Sequence, residues 1–152
     1  MAKKSLPIYV LNGPNLNLLG LREPEIYGRT TLAQIGRMAA KQAKTHGLSV
    51  VFRQSNHEGE LIDWIQEARA KSAGLIINGG AYSHTSIALH DALRALDKQV
   101  VEVHLSNPFA REEFRHYSFI SPLAKGVIVG FGAQSYVLAV DALASLIESS
   151  TV

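Results

Sequence analysis

Five short apolar runs, rich in β-branched residues, alternate with four longer stretches of helical period, and this alternation constrains the fold most. Each helical stretch is long enough to connect one strand to the next parallel strand. The predicted strands are Pro7–Leu11, Leu48–Phe52, Gly74–Ile77, Val100–Leu105 and Gly126–Val129, and the predicted helices are Thr31–His46, Gly59–Ser72, Ser86–Leu96 and Gln134–Ile147. We therefore predict an α/β, flavodoxin-like fold: a five-stranded parallel sheet in the order 2-1-3-4-5, with helices on both faces.

Length and composition limit the possible functions. With 152 residues, 47% of them hydrophobic, the chain is expected to form one compact domain over residues 1–152. The net charge is only +2 and its charges are interspersed, which argues against a nucleic-acid partner. The chain has no cysteine, so thiolate chemistry is excluded. Because the first apolar run is too short for a signal peptide or a membrane span, we expect a soluble, cytoplasmic protein with no membrane partner.

Polar chain follows three of the predicted strands at the point where each one ends. The segments are LNGPNLNLLGLREPEIYG, from Leu11 to Gly28, then INGGAYSHTS after the third strand and SNPFAREEFR after the fourth. Ligands of open parallel sheets bind beyond the carboxyl ends of the strands, near the point where the strand order reverses. In the predicted order that point lies between strands one and three, so we expect these segments to form a binding site.

The fourth strand carries a carboxylate and an imidazole on one face. In VVEVHL, the two-residue period of a strand places Glu102 and His104 together. Both side chains are costly to bury in a central strand unless they are paired. One interpretation is a structural pair, and the other is a carboxylate that orients a proton-transferring histidine. The position at the carboxyl end of the strand favours the second.

The segment after this strand has the features of an anion site. The spacing predicts a helix beginning at Pro108, with Arg111 and Arg115 on one of its faces. Backbone amides near Leu105 and Ser106, together with the Ser106 hydroxyl, suit a carboxylate. A capped turn with solvated arginines is the alternative.

The third strand ends at Asn78, and two glycines then allow a sharp turn toward the predicted site. His84 and Asp91 are seven residues apart and share a helical face if the helix begins near Ser83. With His104 they could hold a metal ion, although the sequence lacks the histidine pair, four residues apart, of many metalloproteases. Hydrogen bonding to a polyhydroxylated ligand suits these side chains better.

The first loop has two parts. Asn15 lies just past strand one. The segment Gly20–Gly28 is bracketed by glycines, and we expect a hinged lid at about residues 19–28 that carries Arg22 and Tyr27. A tyrosine hydroxyl has a pKa of about 10, so it can act as a base only where positive charge favours the phenolate. Arg22 and Arg111 could supply that charge. The alternative is a surface loop whose tyrosine packs.

The segment GFGAQSY, Gly130 to Tyr136, lacks the full spacing of a phosphate-binding loop and predicts tight packing of a strand against a helix.

A competing function is a non-catalytic module that binds flavin or accepts a phosphoryl group. Such a module needs a phosphate-gripping loop after strand one or an acidic cluster at the strand ends. The sequence instead has NGPNLN followed by a lid, and Glu102 has a histidine neighbour.

Five motifs, in order along the chain, carry a family resemblance. They are NGPNLNLLGLREPEIYG, SNHEGELIDWI, INGGAYSHTSIALHDAL, EVHLSNPFAREEFRHYS and GFGAQSY. Together they resemble the type II 3-dehydroquinate dehydratases over nearly the whole chain. The resemblance implies a homododecamer built of trimers, and a hydro-lyase of the shikimate pathway that reversibly converts 3-dehydroquinate to 3-dehydroshikimate with no cofactor and no metal. One position departs from the family's common pattern: Gly79 stands in place of proline, which we expect to alter loop stiffness more than chemistry.

The resemblance also implies roles for the candidate residues. Tyr27 takes a proton from the carbon beside the substrate ketone, Arg22 stabilises the transition state, and Asn15 holds the enolate oxygen through a water. His104 protonates the departing hydroxyl, and Glu102 orients it. The other matching positions are Arg111, near the tyrosine, and the substrate contacts Asn78, His84, Asp91, Leu105, Ser106 and Arg115.

The unrelated type I enzymes run the same reaction through a lysine Schiff base, but all seven lysines of this chain lie outside the strand-end motifs.

The sequence leaves two questions open. One is whether the enzyme serves biosynthesis of aromatic compounds or catabolism of quinate. The other is whether Asp91 contacts substrate in its own subunit or across a trimer interface.

Overall fold

A computed structural model describes residues 5–150, and in it the five apolar runs form five parallel strands of one sheet. They are β1 (Ile8–Asn12), β2 (Val50–Gln54), β3 (Gly74–Asn78), β4 (Val100–His104) and β5 (Gly126–Val129). Their order in the sheet is β2-β1-β3-β4-β5, so the predicted fold and strand order are confirmed. Residues 1–4 and 151–152 lie outside the described residues, and a single domain over 1–152 stays a prediction.

The start of β2 differs from the sequence prediction. Leu48 does not begin the strand, because its amide donates to the Ala43 carbonyl (3.0 Å) and so closes the preceding helix. The strand is displaced toward Gln54, which brings the side chain of Gln54 to the end of the sheet where the polar segments gather.

The four predicted helices are present, and a fifth, short helix lies in the first loop. The helices are α1 (Pro24–Tyr27), α2 (Leu32–Thr45), α3 (Glu58–Lys71), α4 (Ile87–Arg94) and α5 (Gln134–Ser150). Thr31 and Gln34 form a capping box that fixes the start of α2. Helix α1 is a single turn with no apolar period, which explains why hydrophobic periodicity does not reveal it.

The core consists of two apolar layers, one on each face of the sheet. Helices α2 and α5 cover one face, and α3 and α4 cover the other. Alternate residues of each strand enter opposite layers: Val10 packs with Ile35 of α2, whereas Leu11 packs with Leu61 of α3. This double covering leaves the carboxyl ends of the strands as the open edge where a polar site can form. No helix in residues 5–150 has the length and apolar character needed to cross a membrane.

The prediction of a helix after β4 is wrong. The chain forms two separate 3₁₀ turns instead, Pro108–Ala110 and Glu113–Arg115. Arg111, between them, has an extended backbone (φ −114°, ψ −164°), and its carbonyl accepts a hydrogen bond from His116. The two arginines therefore do not share a helical face.

The prediction that His84 and Asp91 share one helical face is also wrong. Helix α4 begins only at Ile87. Ser86 caps this helix, because the Ser86 hydroxyl accepts a hydrogen bond from the Leu89 amide. His84 ends a preceding 3₁₀ turn, so its direction is set by that turn and not by the helix that carries Asp91.

Candidate active site

A cleft lies at the carboxyl ends of β1, β3 and β4. It is lined by ten of the predicted site residues, namely Asn15, Arg22, Tyr27, Asn78, His84, His104, Leu105, Ser106, Arg111 and Arg115, together with Pro14, Leu16, Gly80, Ala81 and Pro108. Glu102 lies directly behind His104. Of the predicted site residues, only Asp91 is on an exposed surface away from this cleft.

The loop after β1 is fixed against the loop after β3. Gly13 donates its amide to the Asn78 carbonyl (2.8 Å), and a Cβ atom on Gly13 would lie 2.3 Å from the Gly79 carbonyl oxygen. Asn15 has a left-handed backbone (φ 68°), and its amide donates to the Asn56 side chain (3.0 Å). Only glycine at position 13 permits the close approach to the Gly79 carbonyl. The backbone that carries Asn15 into the cleft is therefore held by close packing.

Two guanidinium groups lie close to Tyr27, in the segment predicted to be a lid. Arg111 Nη1 donates a hydrogen bond to the Tyr27 hydroxyl (2.9 Å). The guanidinium carbons of Arg22 and Arg111 each lie 5.2 Å from the centroid of the tyrosine ring. The positive charge expected around this tyrosine is therefore present, from both arginines.

His104 and Glu102 form a buried pair on the opposite side of the cleft. His104 Nε2 donates to Glu102 Oε2 at 2.7 Å, and the glutamate is fully buried. Ser118 Oγ donates to the same oxygen at 2.8 Å, and Ser121 Oγ donates to Oε1. Burial by itself raises the pKa of Glu102, but these hydrogen bonds and the charge of His104 outweigh it and hold the pKa below the usual range. Glu102 is therefore an ionised carboxylate that fixes the imidazole ring.

His84 is stacked on His104 with ring centroids 6.5 Å apart and an angle of 18° between the rings. Burial lowers the pKa of His84, against the effect of the hydrogen bond to the Tyr117 carbonyl, and the positive charges of His104 and Arg115 lower it further. His84 is thus neutral near neutral pH. Since its Nδ1 donates to that carbonyl (2.8 Å), its Nε2 is a hydrogen-bond acceptor for the cleft.

Asn78 is held by a buried tyrosine from the first turn of α5. Its Nδ2 donates to the Tyr136 hydroxyl (2.9 Å), which in turn donates to Asn12 Oδ1 (2.6 Å). Burial raises the pKa of Tyr136, so this hydroxyl stays neutral and serves as a structural link between β1, β3 and α5.

The segment after β4 supplies the cationic end of the cleft. Arg111 Nη1, besides contacting Tyr27, lies 3.4 Å from Ser106 Oγ. Arg115 forms an ion pair with Glu112 and reaches the cleft from the second 3₁₀ turn. The two arginines thus approach the cleft from separate turns, one toward the lid and the other toward His84.

Comparison with known proteins identifies the family of the chain. The family described as dehydroquinase class II matches residues 6–144. This chain belongs to the class II dehydroquinases. The 3-dehydroquinate dehydratase of Sinorhizobium medicae is 63% identical over 143 residues, which are 94% of this chain and 97% of that protein. That of Streptomyces avermitilis is 59% identical over 144 residues, 94% of this chain and 91% of that protein.

Solved structures agree with this family assignment. The type II dehydroquinase of Butyrivibrio crossotus superposes with a TM-score of 0.89 at 45% identity, covering 93% of this chain and 99% of that one. A 3-dehydroquinate dehydratase-like protein of Bifidobacterium longum superposes with a TM-score of 0.71 at 31% identity, covering 94% of this chain and 98% of that one.

Two alternative chemistries fit this class II dehydroquinase poorly. The metal-site hypothesis needs Asp91 beside His84 and His104, but Asp91 is on the exposed side of α4. Within residues 5–150, no group of three or more histidine and acidic side chains is arranged to hold a metal ion. Nor does any lysine from the described part of the chain line the cleft. Lys3 and Lys4 lie outside that part.

Sequence reasoning missed three residues that support the site. Ser118 and Ser121 lie in an irregular segment, where no period distinguishes a functional serine from a solvated one. Tyr136 had a detectable signal, since a hydroxyl at a position of α5 that faces the apolar core must find a buried partner. The motif GFGAQSY therefore does more than pack a strand against a helix, because its tyrosine orients Asn78.

Proposed function

We propose that this class II dehydroquinase is a 3-dehydroquinate dehydratase of the shikimate pathway, a hydro-lyase that reversibly eliminates water to give 3-dehydroshikimate. One observation carries the proposal: the cleft holds a tyrosine whose hydroxyl accepts a hydrogen bond from Arg111 and whose ring lies under Arg22, and it also holds a histidine paired with a carboxylate. Elimination beside a ketone requires a base and an acid placed in this way. The proposal requires no cofactor and no metal.

Tyr27 is the proposed base. As a phenolate it removes a proton from the carbon beside the substrate ketone, and the electron pair of the broken C–H bond moves into an enolate. Arg22 and Arg111 stabilise the negative charge on the lid side before the transfer. Asn15, held in the cleft by its own backbone contacts, stabilises the developing enolate oxygen.

His104 is the proposed general acid. The enolate collapses to a carbon–carbon double bond while the C–O bond to the departing hydroxyl breaks. His104 delivers the proton that turns the departing group into water. Because His104 Nε2 donates a hydrogen bond to Glu102, the nitrogen of His104 that acts in the cleft is Nδ1. The ionised Glu102 stabilises the imidazolium form that this step requires.

The remaining cleft residues bind the substrate in this proposal. The Ser106 hydroxyl and the backbone amides near Leu105 and Ser106 suit the carboxylate. Asn78, Arg115 and the acceptor nitrogen of His84 suit the ring hydroxyls. A homododecamer of trimers in the cytoplasm completes the proposal, with Asp91 reaching the substrate of a neighbouring subunit.

Ultraviolet absorbance tests the proposed reaction directly, because the product is a conjugated enone and the substrate is not. Purified protein supplied with 3-dehydroquinate should produce this absorbance. The rate should not change after treatment with a chelator or after incubation with substrate and borohydride, which traps lysine Schiff bases. Absence of the enone would overturn the proposed reaction, and inactivation by borohydride would overturn the proposed mechanism.

A further inference from the structure

The carboxylate behind His104 is held by a segment that the proposed chemistry does not use, residues 117–121. This segment is tied to the rest of the fold on both sides of Ser118. The Tyr117 carbonyl accepts a hydrogen bond from His84 (2.8 Å), and the Phe119 amide donates to the Ser83 carbonyl (2.8 Å). The Phe119 carbonyl accepts a hydrogen bond from His90 of α4 (2.7 Å).

The hydroxyl of Ser118 has its hydrogen-bonding capacity fully committed. Its oxygen accepts the amides of Ile120 and Ser121, each at 3.1 Å. A serine hydroxyl has two acceptor sites and one proton, so the remaining group is the O–H. That proton is donated to Glu102 Oε2 at 2.8 Å. Ser118 is therefore a donor whose direction is set by the backbone around it.

Glu102 has three donors, two from the segment 117–121 and one from its own strand. Oε2 accepts from Ser118 and from His104 Nε2, while Ser121 donates to Oε1. A carboxylate with both oxygens engaged cannot rotate without losing a buried hydrogen bond. The His104 ring takes its orientation from this carboxylate.

We propose that Ser118 is a positioning residue: acting through Glu102, and supported by Ser121, it holds His104 with Nδ1 turned into the cleft. Ser118 does not itself line the cleft, and its one proton is donated to Glu102, so its effect on catalysis passes through Glu102. The inference rests on the proposed role of His104 as general acid. It assigns a catalytic consequence to a residue that is otherwise an ordinary turn serine.

A double-mutant cycle tests this proposal. Ser118→Ala should lower kcat about tenfold or more, the range expected for a hydrogen bond to a charged group, with KM within about twofold of the wild-type value. In a Glu102→Gln background the same substitution should leave kcat unchanged, because the residue through which Ser118 acts is already altered. Ser118→Thr, which keeps the hydroxyl, should restore most of the activity.

Ser72→Ala serves as the stability control. It removes another serine hydroxyl bonded within its own local segment, to the Ala68 carbonyl at 2.7 Å, at the opposite end of the sheet. It should destabilise the fold while leaving kcat unchanged. Unchanged kcat in Ser118→Ala, or effects of Ser118→Ala and Glu102→Gln that multiply, would overturn the positioning role. An inactive wild-type protein would instead overturn the proposed function, so the two failures are distinguishable.

Discussion

At the scale of single residues, the proposed reaction depends on which side chains carry charge in the cleft. Glu102 is buried yet ionised because three donors reach its oxygens. His84, stacked on His104, is neutral because burial outweighs its hydrogen bond. The environment thus makes Glu102 the ionised group and His84 the neutral hydrogen-bond acceptor of the site.

The ionised state of Glu102 predicts a pH-dependent stability. Its pKa is lower in the folded chain than the unfolded value of 4.5, so its contribution is present above 4.5 and is lost as the pH falls through the folded value. The free energy of unfolding of the wild type should therefore fall more steeply in acid than that of Glu102→Gln. Urea unfolding of both proteins from neutral pH to below 4.5 measures this difference.

Glu60→Gln is the matched control, since this glutamate is exposed on α3. It should follow the wild type at every pH. A gap between wild type and Glu102→Gln that stays constant with pH would show that the carboxylate is not stabilised by its partners.

At the scale of elements, the predicted lid and the loop after β1 differ in how their backbones are held. Residues 20–28 begin and end at Gly20 and Gly28, whose backbones have φ values of 90° and 81° that favour glycine. The loop before it is fixed by Gly13 against the loop after β3. A rigid segment thus carries Asn15, and a segment with glycine at both ends carries Arg22 and Tyr27.

Arg22→Gln tests the charge that the lid brings to the base. The substitution keeps much of the side-chain length and removes the positive charge over the Tyr27 ring. We expect kcat to fall about a hundredfold or more, as for loss of a group that acts in the transition state, with little change in KM. Steady-state kinetics separate the two constants. A change confined to KM would show that Arg22 only binds substrate.

Gly13→Ala tests the close approach of the two loops. The added Cβ atom meets the Gly79 carbonyl at 2.3 Å, so one loop must move. We expect the protein to lose about 1–3 kcal/mol of unfolding free energy, together with activity. Gly59→Ala in α3 is the control, because nothing lies within 4 Å of its added Cβ and alanine favours a helix. If both variants match the wild type in stability, the contact is not tight.

The strands could be predicted because each is a short apolar run, and the longer helices because each has an apolar period. The segment from Leu105 to Ser121 could not, since it is built of 3₁₀ turns held by contacts to His84, His90 and Glu102. Those contacts are distant in sequence and leave no local pattern. The sequence and its family resemblance indicated Glu102 and His104. The role of Ser118 depends on a contact with Glu102 that leaves no local pattern, so it became visible only in the structure.

At the scale of the whole molecule, the doubly wound sheet brings ten of the twelve predicted site residues to one cleft lining and places Glu102 behind it. The alternation of strands and helices was enough to predict this meeting point, because strand order determines which loops are neighbours. Asp91 is the exception. It faces outward from α4, so a role in catalysis requires a second copy of the chain.

Subunit mixing tests the role of Asp91. Asp91→Asn and His104→Asn should each be nearly inactive alone. If the aspartate acts across an interface, dissociation and reassembly of the mixture should create clefts with both native residues, and activity should exceed that of either variant. A mixture no more active than its components, or full activity of Asp91→Asn alone, would refute that role.

The proposed reaction depends on Tyr27 as the base, and the kcat of Tyr27→Phe on 3-dehydroquinate, followed by enone absorbance, is the measurement that decides this role. The variant keeps the ring between the two arginines and removes only the hydroxyl that accepts from Arg111. Tyr82→Phe, whose hydroxyl donates to the Asn56 carbonyl outside the cleft lining, is the control. We predict that Tyr27→Phe folds normally and loses about 10²- to 10⁴-fold in kcat, while Tyr82→Phe keeps wild-type turnover. Turnover of Tyr27→Phe close to that of the wild type would contradict it.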